Sequence, residues 1–188
     1  SSASRSACLT TSTSYARSGS SSDLFDVVVD DAGNANIGGE SIAVIAREES
    51  ILVKDQGAQP ITVEQIPGVG VLLPNDLFPL PLVASGHRVL LAWTGFRPTS
   101  EARAFAAIDR ARSVDEFDAA VDLFELGSFN FVAASKDAIT YRSSPLVPDR
   151  GVPAMHAPAY ELMDAADPGT RWTGAFLSGD QLPHSRAE

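Results

Sequence analysis

The sequence predicts an α+β fold in which an antiparallel β meander is followed by a helical hairpin. Residues 23–95 contain short apolar, β-branched runs that are interrupted by turn residues at intervals of roughly 8–12 positions, as is typical of antiparallel sheet. Residues 99–126 contain two stretches with the apolar periodicity of amphipathic helices. With 188 residues and 44% hydrophobic residues, the chain is expected to be a single domain or a piece of one.

The predicted strands of the meander alternate with turn-forming stretches. Strands are expected at residues 23–30, 41–47, 51–54, 61–66 and 87–93. Turn-forming residues fill the whole of residues 31–40, with the sequence DAGNANIGGE. A short acidic turn at residues 48–50 separates the second predicted strand from the third. Asp55-Gln56-Gly57 makes the next turn, and residues 75–86 form a loop punctuated by proline.

Two short helices make up the predicted hairpin. Thr99 is placed to cap the first helix, and Ser113 with Glu116 three residues later forms a capping box for the second. Gly127 suits the position just after the second helix, where a left-handed backbone is favoured. The apolar stripes of both helices should pack on the sheet, and they consist of Ala104, Phe105, Ile108, Ala111, Phe117, Ala120, Val121 and Phe124.

A β-hairpin and an irregular segment are expected in residues 128–188. The hairpin strands are residues 129–135 and 138–142, with Lys136-Asp137 at the turn. Beyond Pro145 the chain is rich in Pro, Ala and Gly, which indicates mostly irregular structure.

The Ser/Thr-rich segment of residues 1–22 offers little apolar surface to offset the entropy of ordering. We expect a flexible segment, and the alternative is a short strand around residues 7–9. The segment lacks the continuous apolar core of a signal peptide.

Charge and composition argue against several classes of function. The net charge of −10 disfavours binding to nucleic acid, whose phosphates attract basic patches. Cys8 is the single cysteine, which excludes an intrachain disulfide and a cysteine-rich metal site. No apolar run reaches the roughly 18 residues that a membrane-spanning helix needs. We therefore expect neither nucleic acid nor a membrane as a partner.

Local motifs for common enzyme chemistry are absent from the sequence. It contains no dinucleotide or phosphate-binding glycine loop, no zinc-protease helix motif, no serine nucleophile elbow and no Cys-x-x-Cys. The carboxylates of the second helix are interpreted as a solvated face rather than an acid/base pair, and they are Asp115, Glu116, Asp118 and Asp122. His184 is expected at the surface, whereas Asn130 stands out as a polar amide among apolar residues.

An ordered set of short motifs resembles the β chain of the penicillin acylase (penicillin amidase) family of N-terminal-nucleophile hydrolases. The similarity runs from about residue 7 to residue 185. The motifs are SDLFD at 22–26, EESILVKDQG at 48–57, LAWT at 91–94, PTSEA at 98–102, RARSVDEF at 110–117, FNFVAASKDAITY at 129–141, PDR at 148–150, RWTG at 171–174 and QLPHS at 181–185. The resemblance implies an αββα layered fold and hydrolysis of an amide that joins an acyl group to an amine, as in β-lactam antibiotics and N-acyl homoserine lactones.

The family's nucleophile is a serine that opens the β chain with the sequence S-N-x-W and uses its own α-amine as base. Here Ser1 is followed by Ser2-Ala3-Ser4 and lies much closer to Asp23 than the family's nucleophile does. The chain is therefore interpreted as a β-chain fragment without the nucleophile segment, or as a degenerate relative. We expect it to be inactive as an isolated piece.

The resemblance implies partners and a compartment as well as an activity. The partners would be the remaining α and β segments of the parent acylase and a small-molecule acyl amide, and the compartment would be periplasmic or extracellular. Two alternatives remain open. One is a non-enzymatic structural or interaction module derived from the acylase β chain, and the other is an unrelated binding module.

The site residues implied by the resemblance include two donors to the oxyanion. Asn130 matches the family's oxyanion-hole asparagine, although Phe129 precedes it where relatives usually have glutamine. The alternative role of Asn130 is to cap a strand end or to bond neighbouring backbone. The backbone N–H of Ala16, or of its neighbour Tyr15, matches the second donor.

Two charged residues also match family positions. Arg150 in PDR matches an arginine near the pocket that could orient the N-terminal residue or a substrate carboxylate, and the alternative is a bridge between loop carbonyls. Asp23 matches a calcium ligand of some relatives, although Ser20 stands where they often carry a second carboxylate. Calcium at Asp23 is the single cofactor that the resemblance allows.

Overall fold

The computed structural model describes residues 21–77, 83–127, 129–144, 146–151 and 161–187. Within these ranges the chain forms eleven β-strands and two α-helices, so the predicted α+β class is confirmed. The predictions for residues 1–20, including the flexible segment, its alternative strand and the role of Ala16, lie outside the described residues.

A six-stranded sheet takes five of its strands from the first half of the chain and one, β10, from the second half. Its order is β10-β1-β7-β6-β5-β4, with antiparallel neighbours throughout except for the parallel pair β1–β10. Its strands are β1 (Ser22–Val28), β4 (Ile45–Val53), β5 (Gly57–Ile66), β6 (Gly70–Leu72), β7 (His87–Trp93) and β10 (Met163–Asp164). Alternate side chains of β1 are buried, which places Asp23, Phe25 and Val27 on one face.

The hydrophobic core lies between this sheet and a small hairpin of β2 (Asn34–Ile37) and β3 (Glu40–Ala43). The hairpin contributes Ala35 and Ile37 to the core, and its turn uses the left-handed backbone of Gly38 and Gly39. The prediction of a turn over the whole of residues 31–40 is therefore wrong. Four of these residues form a strand because their alternating apolar side chains have a core to face.

The predicted acidic turn at residues 48–50 is also wrong, because β4 continues through it. Glu48, Glu49 and Ser50 pair in register with residues 60–62 of β5, and the Thr62 hydroxyl donates a 2.7 Å hydrogen bond to the Glu48 carboxylate. Both strands are largely exposed here, so charged side chains reach water without breaking the ladder. The predicted turn at Asp55-Gln56-Gly57 is confirmed, with positive φ at Asp55 and Gly57.

The two predicted helices are present as α1 (Glu101–Ile108) and α2 (Val114–Val121). Thr99 is not the N-cap, since Ser100 occupies that position without a side-chain capping bond. Ser113 caps α2 as predicted by accepting a 3.1 Å hydrogen bond from the Glu116 N–H, whereas the Glu116 carboxylate accepts from the Arg112 N–H instead of the Ser113 N–H.

Gly127 does not end α2, because the helix stops at Val121. The Ser144 hydroxyl donates to the carbonyls of Val121 at 3.4 Å and Phe124 at 2.9 Å, and so satisfies groups that the end of the helix leaves open. Gly127 instead turns the chain, with φ of 77°, shortly before the next strand.

A three-stranded sheet of order β11-β9-β8 follows the helices. Its strands are β8 (Phe129–Ala134), β9 (Ile139–Ser144) and β11 (His184–Ala187), and the predicted β8–β9 hairpin is confirmed. Phe124 makes edge-to-face ring contacts with Phe105, Phe129 and Phe131 at centroid distances of 5.2–5.3 Å. The helical hairpin thus packs its phenylalanines on one face of this sheet, and not on the sheet of the meander as the sequence predicted.

The acidic side of α2 is mostly solvated, as predicted, since Asp115, Glu116 and Asp122 are exposed, and it also bonds to the same sheet face. The Thr140 hydroxyl donates to both carboxylate oxygens of Asp118 at 3.0 and 3.1 Å. Arg142 pairs with Asp122, and Arg186 pairs with Asp115. Periodicity alone could not reveal that the sheet would supply these partners.

Neither helix within the described ranges is long and apolar enough to cross a membrane. Among residues 146–151 and 161–187 the structure is mostly irregular, as expected, and His184 is exposed at the start of β11.

A carboxylate in the first turn of α1 ties that helix to the segment after α2. Glu101 Oε1 accepts hydrogen bonds from the backbone N–H groups of Glu125 at 3.1 Å and Leu126 at 2.6 Å. Burial alone would raise the pKa of Glu101, but these bonds, a bond from Thr99 and one from its own N–H outweigh burial and lower the pKa below its usual value.

The lowered pKa of Glu101 predicts a pH-dependent contribution to stability. Because the folded-state pKa lies below the unfolded one, the contribution is complete above the unfolded pKa and is lost as the pH falls through the folded pKa. We expect Glu101→Gln to lower the free energy of unfolding near neutral pH and to match the wild type in acid. Urea denaturation at several pH values measures this, and a difference independent of pH would contradict it.

Candidate functional site

Three of the motifs in the ordered set meet at a buried ion pair. Arg150 of PDR donates from Nε to Oδ2 of Asp23, the second residue of SDLFD, at 2.6 Å. Their side chains are 1% and 2% exposed, respectively. Trp172 of RWTG donates its indole N–H to the same oxygen at 2.7 Å. We call this arrangement of Asp23, Arg150 and Trp172 the Asp–Arg–Trp junction.

The fold brings the three residues together from distant parts of the chain. Asp23 lies in β1 opposite Ala92 of β7, where both residues are buried. Residues 147–149 pair through backbone hydrogen bonds of 2.9 Å with residues 173–177, which carries Trp172 to the side of Arg150. The Arg150 guanidinium lies 6.0 Å from the centre of the Trp172 ring and donates from Nη1 to the Pro148 carbonyl at 3.2 Å.

Burial makes the Asp–Arg–Trp junction rigid and sensitive to change. A charge removed from water must be paired and hydrogen-bonded, because the loss of one partner leaves an uncompensated buried charge. Asp23 receives both a guanidinium and an indole donor on one oxygen, so the pair is strongly tied to the positions of β1 and the PDR corner. The alternative role of Arg150 in bonding loop carbonyls is observed at Pro148.

In the described structure the Asp23 carboxylate bonds to a guanidinium and an indole N–H. Calcium takes about six to eight oxygen ligands, and no group of three or more Asp, Glu, His or Cys side chains among the described residues could hold a metal. Calcium at Asp23 therefore gains no support here and stays a prediction. The role of Arg150 in orienting a substrate or an N-terminal residue also stays a prediction.

Asn130 lies on the face of the three-stranded sheet that points away from the helices. Its neighbours Phe129 and Phe131 contact Phe124 on the helix side, and side chains alternate along a strand. The Asn130 side chain is exposed, and its Oδ1 accepts a 2.7 Å hydrogen bond from the Tyr141 hydroxyl. Among the described residues no hydrogen bond involves Asn130 Nδ2, so the contact with Tyr141 leaves both of its N–H donors without a partner there.

The structure does not bring Asn130 into contact with the Asp–Arg–Trp junction within the described residues. The β8–β9 hairpin leads through residues 146–149 to Arg150, so the two features share one continuous stretch of chain. The alternative role of Asn130 in bonding backbone is not observed among the described contacts. Ser1, Ala16 and Ser20 lie outside the described residues.

Two contributors, Trp172 and Tyr141, were missed by the motif analysis even though both lie inside quoted motifs. The register of the β8–β9 hairpin held the signal for Tyr141, because a turn centred on Lys136-Asp137 sets Val132 opposite Tyr141 and places Asn130 two pairs further along, on the same face. Nothing in the sequence pointed to the indole of Trp172 as a donor to Asp23.

A large groove borders the Asp–Arg–Trp junction. Its volume is about 990 Å³, and Trp172 lines it together with Trp93, Phe96, Phe176 and Arg97. The Arg97 guanidinium lies 4.7 Å from the centre of the Phe176 ring. Aromatic walls with a few polar groups are the usual lining of small-molecule sites, so the groove has the size and chemistry for an apolar acyl group.

The Asp23–Arg150 pair should contribute strongly to stability. We expect Asp23→Ala to lower the free energy of unfolding by about 3–5 kcal/mol, since Arg150 would stay buried without its carboxylate. The control Glu40→Ala breaks the exposed pair with Arg171 and should cost less than about 1 kcal/mol. Denaturant unfolding measures both variants, and equal losses would contradict a dominant buried pair.

Comparison with known proteins shows which fold and which family this chain shares. The fold is similar to that of a thermostable penicillin G acylase from Alcaligenes faecalis, with a TM-score of 0.69 and 18% sequence identity. The match covers 89% of this chain and 29% of that acylase, so the chain spans less than a third of its length. No curated protein matches the chain by sequence. The model of the penicillin amidase family matches residues 13–187, and the chain therefore belongs to that family.

Proposed function

We propose that this chain forms part of an acyl-amide hydrolase, in which Asn130 donates a hydrogen bond to the oxyanion of the reacting amide. The observation that carries the proposal is the hydrogen bond that Asn130 Oδ1 accepts from Tyr141 on the open face of the sheet, which leaves the Nδ2 donors without a partner among the described residues. Membership of the penicillin amidase family supplies the reaction class.

The proposed chemistry requires a serine nucleophile in an S-N-x-W segment, which is not part of these 188 residues. Its hydroxyl attacks the amide carbon, its α-amine takes the proton, and the carbonyl oxygen becomes a tetrahedral oxyanion. Asn130 Nδ2–H stabilises that oxygen more strongly as its negative charge grows, which lowers the barrier. The backbone N–H of Ala16 is the proposed second donor. The amine then leaves with the proton, and water hydrolyses the acyl-enzyme.

The Asp–Arg–Trp junction supports this chemistry from a distance. In the proposal, Arg150 holds the corner that follows the β8–β9 hairpin. It also orients the N-terminal residue or a substrate carboxylate near the pocket. The aromatic groove beside Trp172 is suited to the acyl group of the substrate. Calcium at Asp23 is not needed for any of these steps.

Exposed apolar side chains support the proposal that other acylase segments are partners of this chain. The consecutive residues Ile51, Leu52 and Val53 at the end of β4 are 51%, 84% and 36% exposed, respectively. Apolar surface of this kind marks sites that another segment or protein covers. We also propose that the assembled enzyme is periplasmic or secreted.

The same exposed surfaces favour a second candidate, a non-enzymatic interaction module. Within the described ranges β4 is an edge strand, so one side of its backbone has no strand partner there, and it carries the exposed residues Ile51 and Leu52. Such a module would bind acylase-like segments without any requirement for the Asn130 amide, so substitution of Asn130 separates the two candidates.

Substitution of Asn130 tests the proposed function. In an acylase polypeptide that combines this chain with the S-N-x-W segment, Asn130→Ala should lower kcat by about 10²–10³-fold, since it removes one oxyanion donor, and should leave KM nearly unchanged. Hydrolysis of a chromogenic acyl amide measures both constants. Ser143→Ala is the control, because Ser143 is opposite Asn130 in register and lies on the same face. An unchanged kcat in Asn130→Ala would favour the interaction module.

The isolated 188-residue chain gives a second arm of the same experiment. We expect it to show no turnover of the chromogenic amide, because it lacks the S-N-x-W segment. Turnover by the isolated chain that Ser1→Ala abolishes would contradict the proposal and identify Ser1 as the nucleophile.

A further inference from the structure

We infer that Tyr141 is a positioning residue, which holds the Asn130 amide in the orientation that directs Nδ2–H toward the reacting carbonyl. The inference rests on the proposed function of Asn130 and adds a second residue to it. Tyr141 acts through Asn130 and does not itself touch the substrate.

The hairpin register sets the contact between the two side chains. Val132 lies opposite Tyr141 and Asn130 lies opposite Ser143, so Asn130 and Tyr141 are diagonal neighbours on one face of the sheet. Such neighbours are within reach of a long aromatic side chain. The tyrosine hydroxyl donates to Asn130 Oδ1 at 2.7 Å, a normal length for an O–H···O hydrogen bond.

An asparagine amide needs this kind of restraint to serve as an oxyanion donor. Its oxygen and nitrogen have nearly the same shape, so a half-turn of the amide exchanges an acceptor for a donor. An oxygen turned toward the reacting carbonyl would repel the developing negative charge. Catalysis by preorganised donors depends on holding the donor in place before the charge appears.

The chemistry of the two groups favours the orientation seen in the structure. A phenol is a good hydrogen-bond donor, and an amide oxygen is a stronger acceptor than a phenol oxygen. The pairing of hydroxyl with Oδ1 is therefore preferred over the reversed pairing of Nδ2–H with the phenol oxygen. With Oδ1 occupied, both N–H groups of Asn130 remain for other partners.

The surroundings of Tyr141 hold its hydroxyl group in position beside Asn130. Tyr141 is half-buried, and its neighbours Thr140 and Arg142 on the opposite face are bound to Asp118 and Asp122 of α2. Phe131, one residue after Asn130, packs on Phe124. Both strands that carry the pair are thus fixed from the helix side, and the hydroxyl-to-amide contact faces the open side.

A kinetic cycle tests the positioning role in the polypeptide that contains the S-N-x-W segment. We expect Tyr141→Phe to lower kcat roughly three- to tenfold, the size of one neutral hydrogen bond, with KM unchanged. In the Asn130→Ala background the same change should have no further effect on kcat, because two residues that act through one group are not additive. An equal loss in both backgrounds, or no loss in either, would overturn the inference.

A second readout on the ¹⁵N-labelled 188-residue chain needs no turnover. We expect Tyr141→Phe to shift the Asn130 side-chain amide resonances and to lower their heteronuclear NOE, since the amide gains fast motion. The control Ser143→Ala, which removes a neighbouring hydroxyl on the same face, should leave both unchanged. Unchanged Asn130 resonances in Tyr141→Phe would overturn the inference.

The two variants separate failure of the inference from failure of the proposed function. A large loss of kcat in Asn130→Ala with none in Tyr141→Phe would keep the function and reject the positioning role. No loss of kcat in Asn130→Ala, with shifted amide resonances in Tyr141→Phe, would reject the proposed function and, with it, any catalytic purpose of the hydrogen bond.

Discussion

The buried pair of Asp23 and Arg150 is the constraint on which the arrangement of this chain depends. It joins the first described strand to a corner 127 residues later, and Trp172 donates to the same carboxylate oxygen. Buried charges tolerate little displacement, because any gap leaves them without compensation. The pair therefore fixes where the β8–β9 hairpin ends relative to the six-stranded sheet.

The two faces of the three-stranded sheet carry different kinds of residue. The helix-facing side carries phenylalanines and the groups that bond to α2, so it is held in place by packing and charge. The opposite side carries Asn130 and Tyr141, joined by a hydrogen bond and accessible to other parts of an acylase. A polar donor on a rigid, open face is what stabilisation of an oxyanion requires. The proposed role of Asn130 in amide hydrolysis rests on this geometry and on the family to which the chain belongs.

Sequence patterns predicted the strands and helices well where apolar alternation, helical periodicity or turn residues were clear. The strand at residues 87–93, both helices and the β8–β9 hairpin follow from alternation, periodicity and turn residues. The predictions failed where contacts with distant residues decide the boundaries of an element. The examples are β4, which continues through the predicted turn, and α2, which ends earlier than predicted. Sequence patterns also could not show that Asp23 and Arg150 form one buried pair, since each was matched to the family separately. The Tyr141 contact follows from strand register, which short motifs do not encode.

The most direct measurement is a structure of the acylase polypeptide that combines this chain with the nucleophile segment, determined with a transition-state analogue bound to the serine. The account predicts that Asn130 Nδ2 lies about 2.7–3.1 Å from the analogue oxygen that replaces the oxyanion, with Oδ1 still bonded to Tyr141. An analogue oxygen held by other donors, with the Asn130 side chain directed to solvent, would contradict it.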